Sequence, residues 1–176
     1  MNKLLIAFVV AFIDQISKNF IRDGMNKYDS IDIIGSGFLR FTFLENKNIA
    51  FGLDLGFFNH LVLWLSILIV FVLIYLIITN IDSNNLDNYG LSFILGGAIG
   101  NIIDRICVFF NFSDYEGVTD FIDMPNILYY FGIMESSRWF IFNIADISIS
   151  IGAILFLLSG FNIRANSDYQ YQSDIN

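Results

Sequence analysis

Four apolar runs, each long enough to cross a bilayer, limit what this chain can become. They cover residues 4–21, 59–78, 91–110 and 139–161. A helix needs roughly 20 apolar residues to cross the hydrocarbon core. In that solvent every backbone N–H and C=O must be satisfied within the segment, so runs of this length are expected as helices. Only 15% of the 176 residues are charged and 56% are hydrophobic, whereas a soluble domain carries about 25% charged residues. Too little polar surface remains to clothe a globule in water. Pro125 is the only proline, consistent with long uninterrupted helices. The chain reads as an all-α integral membrane protein, a single domain over 1–161 with four transmembrane helices. A polar tail, 162–176, is expected to be disordered.

The first run follows Asn2-Lys3 and resembles the core of a signal peptide. No small-x-small cleavage site follows it, so it is kept as helix 1. Residues 22–58 are too polar to span and too hydrophobic for a free linker. Two β-prone runs there, 31–34 and 38–44, flank Gly35-Ser36-Gly37, a hairpin-like turn signal. A small sheet lying at the membrane surface between helices 1 and 2 is the expectation. Residues 82–88 (DSNNLDN) read as a short polar loop, and 111–137 as a longer one. Four spans place both termini on one side.

Several chemistries are unsupported. A net charge of −8 argues against nucleic acid as a partner. Cys107 and His60 are each the only one of their kind, so neither a disulfide nor a cysteine or histidine metal site is expected. No His-Glu-x-x-His motif and no Gly-x-Ser-x-Gly elbow occurs.

What remains is acidic and amidic. Asp14 and Lys18 are four apart and can pair on one helical face, as a structural ion pair or on the side of a substrate. In GGAIGNIIDR (96–105), Gly96 and Gly100 permit close helix contact. Packing does not explain Asn101, Asp104 and Arg105, which share one face of the same run. Polar groups this close to hydrocarbon mark a functional site by default, although Asp104 can equally hold a self-satisfied polar cluster. Asn143 and Asp146 share a face within the first two turns of the fourth run, with Ser150 a turn further. Asp120 and Asp123 are candidate partners for Asp146, while Asp123, Asp114 and Glu116 read as solvated loop charges. Two carboxyls held together share a proton: one acts as base towards water, and the other polarises a carbonyl. An acidic site at the membrane follows, with proteolysis as one option among several.

The residues resemble the lipoprotein signal peptidases (signal peptidase II), aspartic proteases of the bacterial inner membrane. The motifs are DQISK (14–18), NKNIAFG (46–52), GAIGNIIDR (97–105), VTDFID (118–123) and FNIADISISIG (142–152), in order from helix 1 to helix 4. Asn48 and Ile49 depart from the second motif, and Phe140 stands where a proline is common. The stretches 107–116 and 121–138 are longer than usual.

The resemblance implies cleavage of a prolipoprotein signal peptide before a diacylglyceryl-modified cysteine. It places the catalytic pair on Asp120 and Asp146. Contacts to substrate, or to the inhibitor globomycin, fall on Asn46, Asn101, Arg105 and Asn143. Asp14, Lys18, Gly97, Gly100 and Asp104 become supporting residues. No metal or cofactor is implied. The partners are diacylglyceryl-modified prolipoproteins and membrane lipids, the working unit a monomer. Termini fall in the cytoplasm, with the sheet and active site near the outer face of the inner membrane. The charge bias runs the other way: the first outward segment carries Arg22, Lys27, Arg40 and Lys47, while 82–88 has no Lys or Arg. The alternatives are a small proton-coupled transporter or channel subunit using Asp14, Asp104 and Asp146 as a relay, and an inactive lipoprotein-binding homologue.

Overall fold

The computed structural model describes residues 3–35, 37–47, 59–79, 86–112 and 115–173. In order these form helix α1 (Lys3–Gly24), strands β1 (Ser30–Ile34) and β2 (Leu39–Asn46), and helices α2 (Asn59–Thr79) and α3 (Leu86–Phe109). Strand β3 (Val118–Asp123), the single turn α4 (Ile127–Tyr130) and helix α5 (Ile144–Ser173) complete the chain. Most of the motif at 46–52, the loop at 82–85 and Asp114 lie outside the described residues, as does the side chain of His60.

Three of these helices, Lys3–Gly24, Leu61–Thr79 and Leu86–Phe109, are long and apolar enough to cross a membrane. The apolar part of α5, Ile144–Ser159, is shorter. The fourth run was expected to be helical from residue 139, but its first residues belong to the sheet instead. Phe142 bridges to Ile122, and Trp139 N–H donates to the Met124 carbonyl. At the other end the α5 backbone stays helical to Ser173, into the segment expected as a disordered tail. Leu86–Asn88, assigned to a loop by their polarity, form the first turn of α3, where Asp87 stands at the positive end of the helix.

Helix α3 is the centre of the bundle, packed against α1, α2 and α5. Ala7, Leu73, Ile77, Leu91 and Leu95 make the core that joins α1, α2 and α3. Side chains on the far face of α2, among them Leu68, Phe71 and Tyr75, are exposed, as the lipid side of a spanning helix must be. Glycines set the helix spacing. A Cβ on Gly96 would stand 2.7 Å from the Ala7 carbonyl oxygen, and one on Gly97 would collide with the Ala145 carbonyl. A side chain on Gly100 would meet Asp14 Oδ2 at 2.5 Å.

The sheet has three antiparallel strands in the order β1-β2-β3. The hairpin of β1 and β2 forms where expected, with Gly35 and Gly37 at positive φ. The third strand is the VTDFID segment, read from sequence as loop; its β-branched and aromatic residues cover the edge that β2 would otherwise leave open. A register shift between Phe41 and Leu44 places a bulge opposite Phe121. Phe121 packs with Ile21 and Phe43 beneath the sheet. Successive strand residues face opposite sides, so its neighbour Asp120 is turned away from that core.

Candidate active site

The first turn of α5 gathers the site. Asn143 Oδ1 accepts from Asp146 N–H at 3.0 Å, while Asp146 Oδ2 accepts from Asn143 N–H at 3.1 Å. This is the reciprocal bonding of a capping box, which satisfies helix N–H groups that have no partner within the helix. The Ala145 N–H finds its acceptor on another helix, donating to Asp14 Oδ1 at 2.8 Å. Asp14 therefore fixes the start of α5 against α1, through the gap that Gly97 and Gly100 leave open.

From Asn143 a chain of amide bonds reaches both carboxyls. Asn143 Nδ2 donates to Asp120 Oδ1 at 2.7 Å and to Asn101 Oδ1 at 3.1 Å. Asn101 Nδ2 donates to Asp146 Oδ1 at 2.9 Å. Asn46 Nδ2, at the end of β2, donates to Asp120 Oδ2 at 3.1 Å. Phe142 makes this possible, because its backbone bonds to Phe121 and Ile122 bring residue 143 beside β3. Asp120 and Asp146, 26 positions apart in sequence (146 − 120), are thus both held by Asn143, Asp120 through its side chain and Asp146 through its backbone N–H.

Behind them lies a buried charge cluster. Lys18 Nζ pairs with Asp14 Oδ2 at 2.8 Å and Asp104 Oδ2 at 3.1 Å, all three side chains fully buried. Arg22 Nη2 stands 3.1 Å from Asp104 Oδ1. Gln15 Nε2 donates to the Gly100 carbonyl and to Asp104 Oδ1, and Thr119 N–H donates to Asp104 Oδ2 at 3.0 Å. A carboxylate this deep persists because cations and N–H donors surround it.

Asp120, Asp146, Asn46, Asn101, Asn143 and Arg105 all line one cavity of about 1000 Å³. Its walls are apolar side chains of α2 and α5, including Leu65, Ile69, Ile147 and Ile151, with Trp139 and Phe140 at the sheet end. Burial, reinforced by the negative charge of Asp146, pushes the Asp120 carboxyl up to about 7. Arg105 is within electrostatic reach of Asp146, Asp104 and Asp120. Among the described residues no group of three His, Cys, Asp or Glu is arranged to hold a metal ion.

The structure brings together Asn46, Asn101, Arg105, Asp120, Asn143 and Asp146, and sets Asp14, Lys18 and Asp104 behind them. It separates Asp123, which is buried and paired with Arg138 at 2.6 Å. Asp123 was expected to be a solvated loop charge, but pairing across the sheet edge encloses it. Glu116 is exposed as expected, held down to about 2 by Lys27 and Lys47. Asp104, expected as a supporting residue that can hold a self-satisfied polar cluster, sits in one with Lys18, Arg22 and Gln15. Gln15 and Arg22 were missed, although Arg22 lies four residues beyond Lys18 on the Asp14 face, a legible spacing.

The family profile of signal peptidase II matches residues 6–162. The lipoprotein signal peptidase of Pelagibacter ubique is 35% identical over 155 residues, covering 88% of this chain and 84% of the relative. That of Wigglesworthia glossinidia brevipalpis is 32% identical over 154 residues, covering 87% and 90%. A solved bacterial membrane enzyme superposes with a TM-score of 0.75 at 32% identity, over 93% of this chain and 90% of its own.

Proposed function

The chain belongs to the signal peptidase II family, aspartic peptidases that remove signal peptides from lipoprotein precursors, and from that premise we propose that Asp120 and Asp146 are its catalytic dyad. The observation that carries this is their common anchor: Asn143 donates to Asp120 through Nδ2 and to Asp146 through its backbone N–H, on the wall of one apolar cavity. Asp120, with its raised pKa, holds the proton of the pair. Asp146 takes two N–H donors in the first turn of α5, where the helix dipole favours negative charge. It is the base. Asp146 removes a proton from water as the oxygen attacks the scissile carbonyl, and the Asp120 proton passes to the carbonyl oxygen. The tetrahedral intermediate collapses with the C–N bond breaking, the amine leaving with the proton from Asp146 and the oxygen returning its own to Asp120.

The substrate is a prolipoprotein cut before its diacylglyceryl-modified cysteine. The apolar walls of α2 and α5 suit acyl chains and signal-peptide side chains, while Arg105, Asn46 and Asn101 orient the peptide. Asp14 and Asp104 are sealed by Lys18 and Arg22, a poor arrangement for the proton relay of a transporter. The chain crosses the membrane four times, α5 being the fourth span, with termini in the cytoplasm. The charge bias against that orientation is softened by pairing. Arg22 meets Asp104, Lys27 meets Glu45 and Glu116, Arg40 meets Asp32, and Lys47 meets Glu116.

The test is cleavage of a lipidated precursor by purified protein in lipid, with globomycin as inhibitor control. Asp120→Asn and Asp146→Asn are expected to abolish cleavage while the protein still inserts and folds. Full activity in either variant overturns the dyad.

A further inference from the structure

The loop between β3 and α5 carries a cluster of exposed apolar side chains that the site does not use. Tyr129 is 43% exposed, Tyr130 74%, Phe131 73% and Ile133 68%. None of them lines the cavity. Their exposure is built into an ordered loop. Asn126 is fully buried, caps the α4 turn through Leu128 N–H, and ties the loop base by bonds to Ser136 and Ser137 carbonyls. Ile133 N–H closes back on the Leu128 carbonyl, and Gly132 takes φ +68° to make the turn. A closed backbone that presents tyrosine, phenylalanine and isoleucine outward is costly in water.

Charge and position identify what covers it. Residues 124–134 contain no charged side chain, so an ionic partner has nothing to grip. The loop runs from the sheet into α5, whose exposed Phe156, Leu157 and Leu158, outside the cavity lining, mark the lipid-facing side of a membrane helix. The β1–β2 hairpin carries a second apolar tip: Ile33, Ile34 and Phe38 are each close to half exposed or more. Arg138 ties the base of the loop to the hairpin turn. Its Nη1 donates to the Gly37 carbonyl at 2.7 Å, its Nε to Asp123 Oδ1 at 2.6 Å, and its Nη2 to the Asp123 carbonyl at 2.9 Å. Amphipathic aromatic rings favour the level of the lipid headgroups.

We propose that the loop tip at 129–133, whose base Arg138 ties to the hairpin turn, is an interfacial foot. It seats in the boundary between headgroups and acyl chains of the leaflet at the sheet end of the bundle. The foot holds the sheet, and Asp120 with it, at a fixed depth. This depends on the chain being a membrane protein and stands whether or not the dyad is assigned correctly.

The test places nitrobenzoxadiazole on Phe131→Cys, and separately on Tyr130→Cys, in a Cys107→Ser background of the full chain in phosphatidylcholine vesicles. Monodisperse elution from detergent before reconstitution verifies folding. Expected are a blue-shifted emission, iodide quenching several-fold weaker than for the dye on free cysteine, and stronger quenching by lipids with a nitroxide near the headgroup than near the chain terminus. Iodide quenching equal to that of the free dye overturns the proposal, because the tip is then in water. Protection from iodide without quenching by either lipid also overturns it, since the loop then packs on protein. Stronger quenching from the chain terminus overturns it as well, by placing the tip in the hydrocarbon interior.

Discussion

Lys18 Nζ donates to Asn101 Oδ1 at 2.9 Å, and this bond decides which end of the Asn101 amide meets Asp146. The same oxygen also accepts from Asn143 Nδ2 at 3.1 Å. With two donors on its oxygen, the amide turns its own Nδ2 to Asp146 Oδ1. A buried cation on α1 thus sets the direction of a hydrogen bond between α3 and α5, although it touches neither Asp120 nor Asp146.

Removing that cation leaves carboxylates buried without enough compensation. Lys18→Met is expected to destabilise the protein by about 3–5 kcal/mol, the usual cost of breaking a buried pair. Asp104 keeps Arg22 as a counter-ion, while Asp14 loses its only ion-pair partner among the described residues. Adding Asp14→Asn to Lys18→Met is therefore expected to recover more stability than adding Asp104→Asn. Thermal denaturation in detergent ranks the three variants, and the opposite ranking contradicts the cluster as described.

The raised Asp120 carboxyl gives a pH dependence with a definite sign. In the unfolded chain it titrates near 3.8, and in the fold near 7. Between those values the native state holds a proton that the unfolded state has released, so stability from this group is full below about 3.8 and is lost as pH rises towards 7. Asp120→Asn is expected to be more stable than the parent at pH 8 and to flatten its melting-temperature profile between pH 4 and 7. Cleavage needs the shared proton, so kcat/KM is expected to fall on the alkaline side of about pH 7, with the apparent value belonging to the pair. A rate still rising through pH 9 is incompatible with Asp120 as the proton carrier.

Asp123 separates the dyad from its nearest rival. It accepts from Thr42 Oγ1 at 3.0 Å and pairs with Arg138, without lining the cavity. Asp123→Asn is expected to lower the melting temperature, because the Arg138 clamp loosens, yet to leave kcat within several-fold of the parent. Asp120→Asn is expected to be inactive. Equal loss of cleavage in both, measured per folded molecule, places the chemistry elsewhere on β3.

Helix positions were legible because apolar runs of bilayer length admit little else. The ends were not: residues 139–143 are as apolar as a helix start, but Phe142 and Trp139 hydrogen-bond to the sheet, and only tertiary pairing distinguishes the two fates. Strand β3 was read as loop because six residues carrying two aspartates give no apolar run, and its partner β2 is distant in sequence. Asp14 and Lys18 were legible as a pair from their spacing. Their bonds to Ala145 and Asn101 were not, since they arise from helix contacts that glycines permit. The same limit hid which cations complete the Asp104 cluster: Lys18 and Arg22 reach it from α1, a remote stretch of the chain.

Gly97 is where helix spacing and chemistry meet. A Cβ there collides with the Ala145 carbonyl and comes within 2.8 Å of Ile149 Cγ1. Ala145 lies between Asn143 and Asp146, and its N–H is the one bonded to Asp14, so relief of the clash moves the dyad's own turn. At Gly96 the clash is with Ala7 and Val10 of α1, away from the cavity. Both Gly96→Ala and Gly97→Ala are expected to cost about 1–3 kcal/mol, as overpacked contacts do. Only Gly97→Ala is expected to lose most of its kcat per folded molecule, through displacement of Asp146 from Asn101. Melting curves and cleavage rates on the same preparations distinguish the effects. Equal residual activity in the two variants indicates that the start of α5 tolerates movement, and that the tight α3–α5 contact serves stability alone.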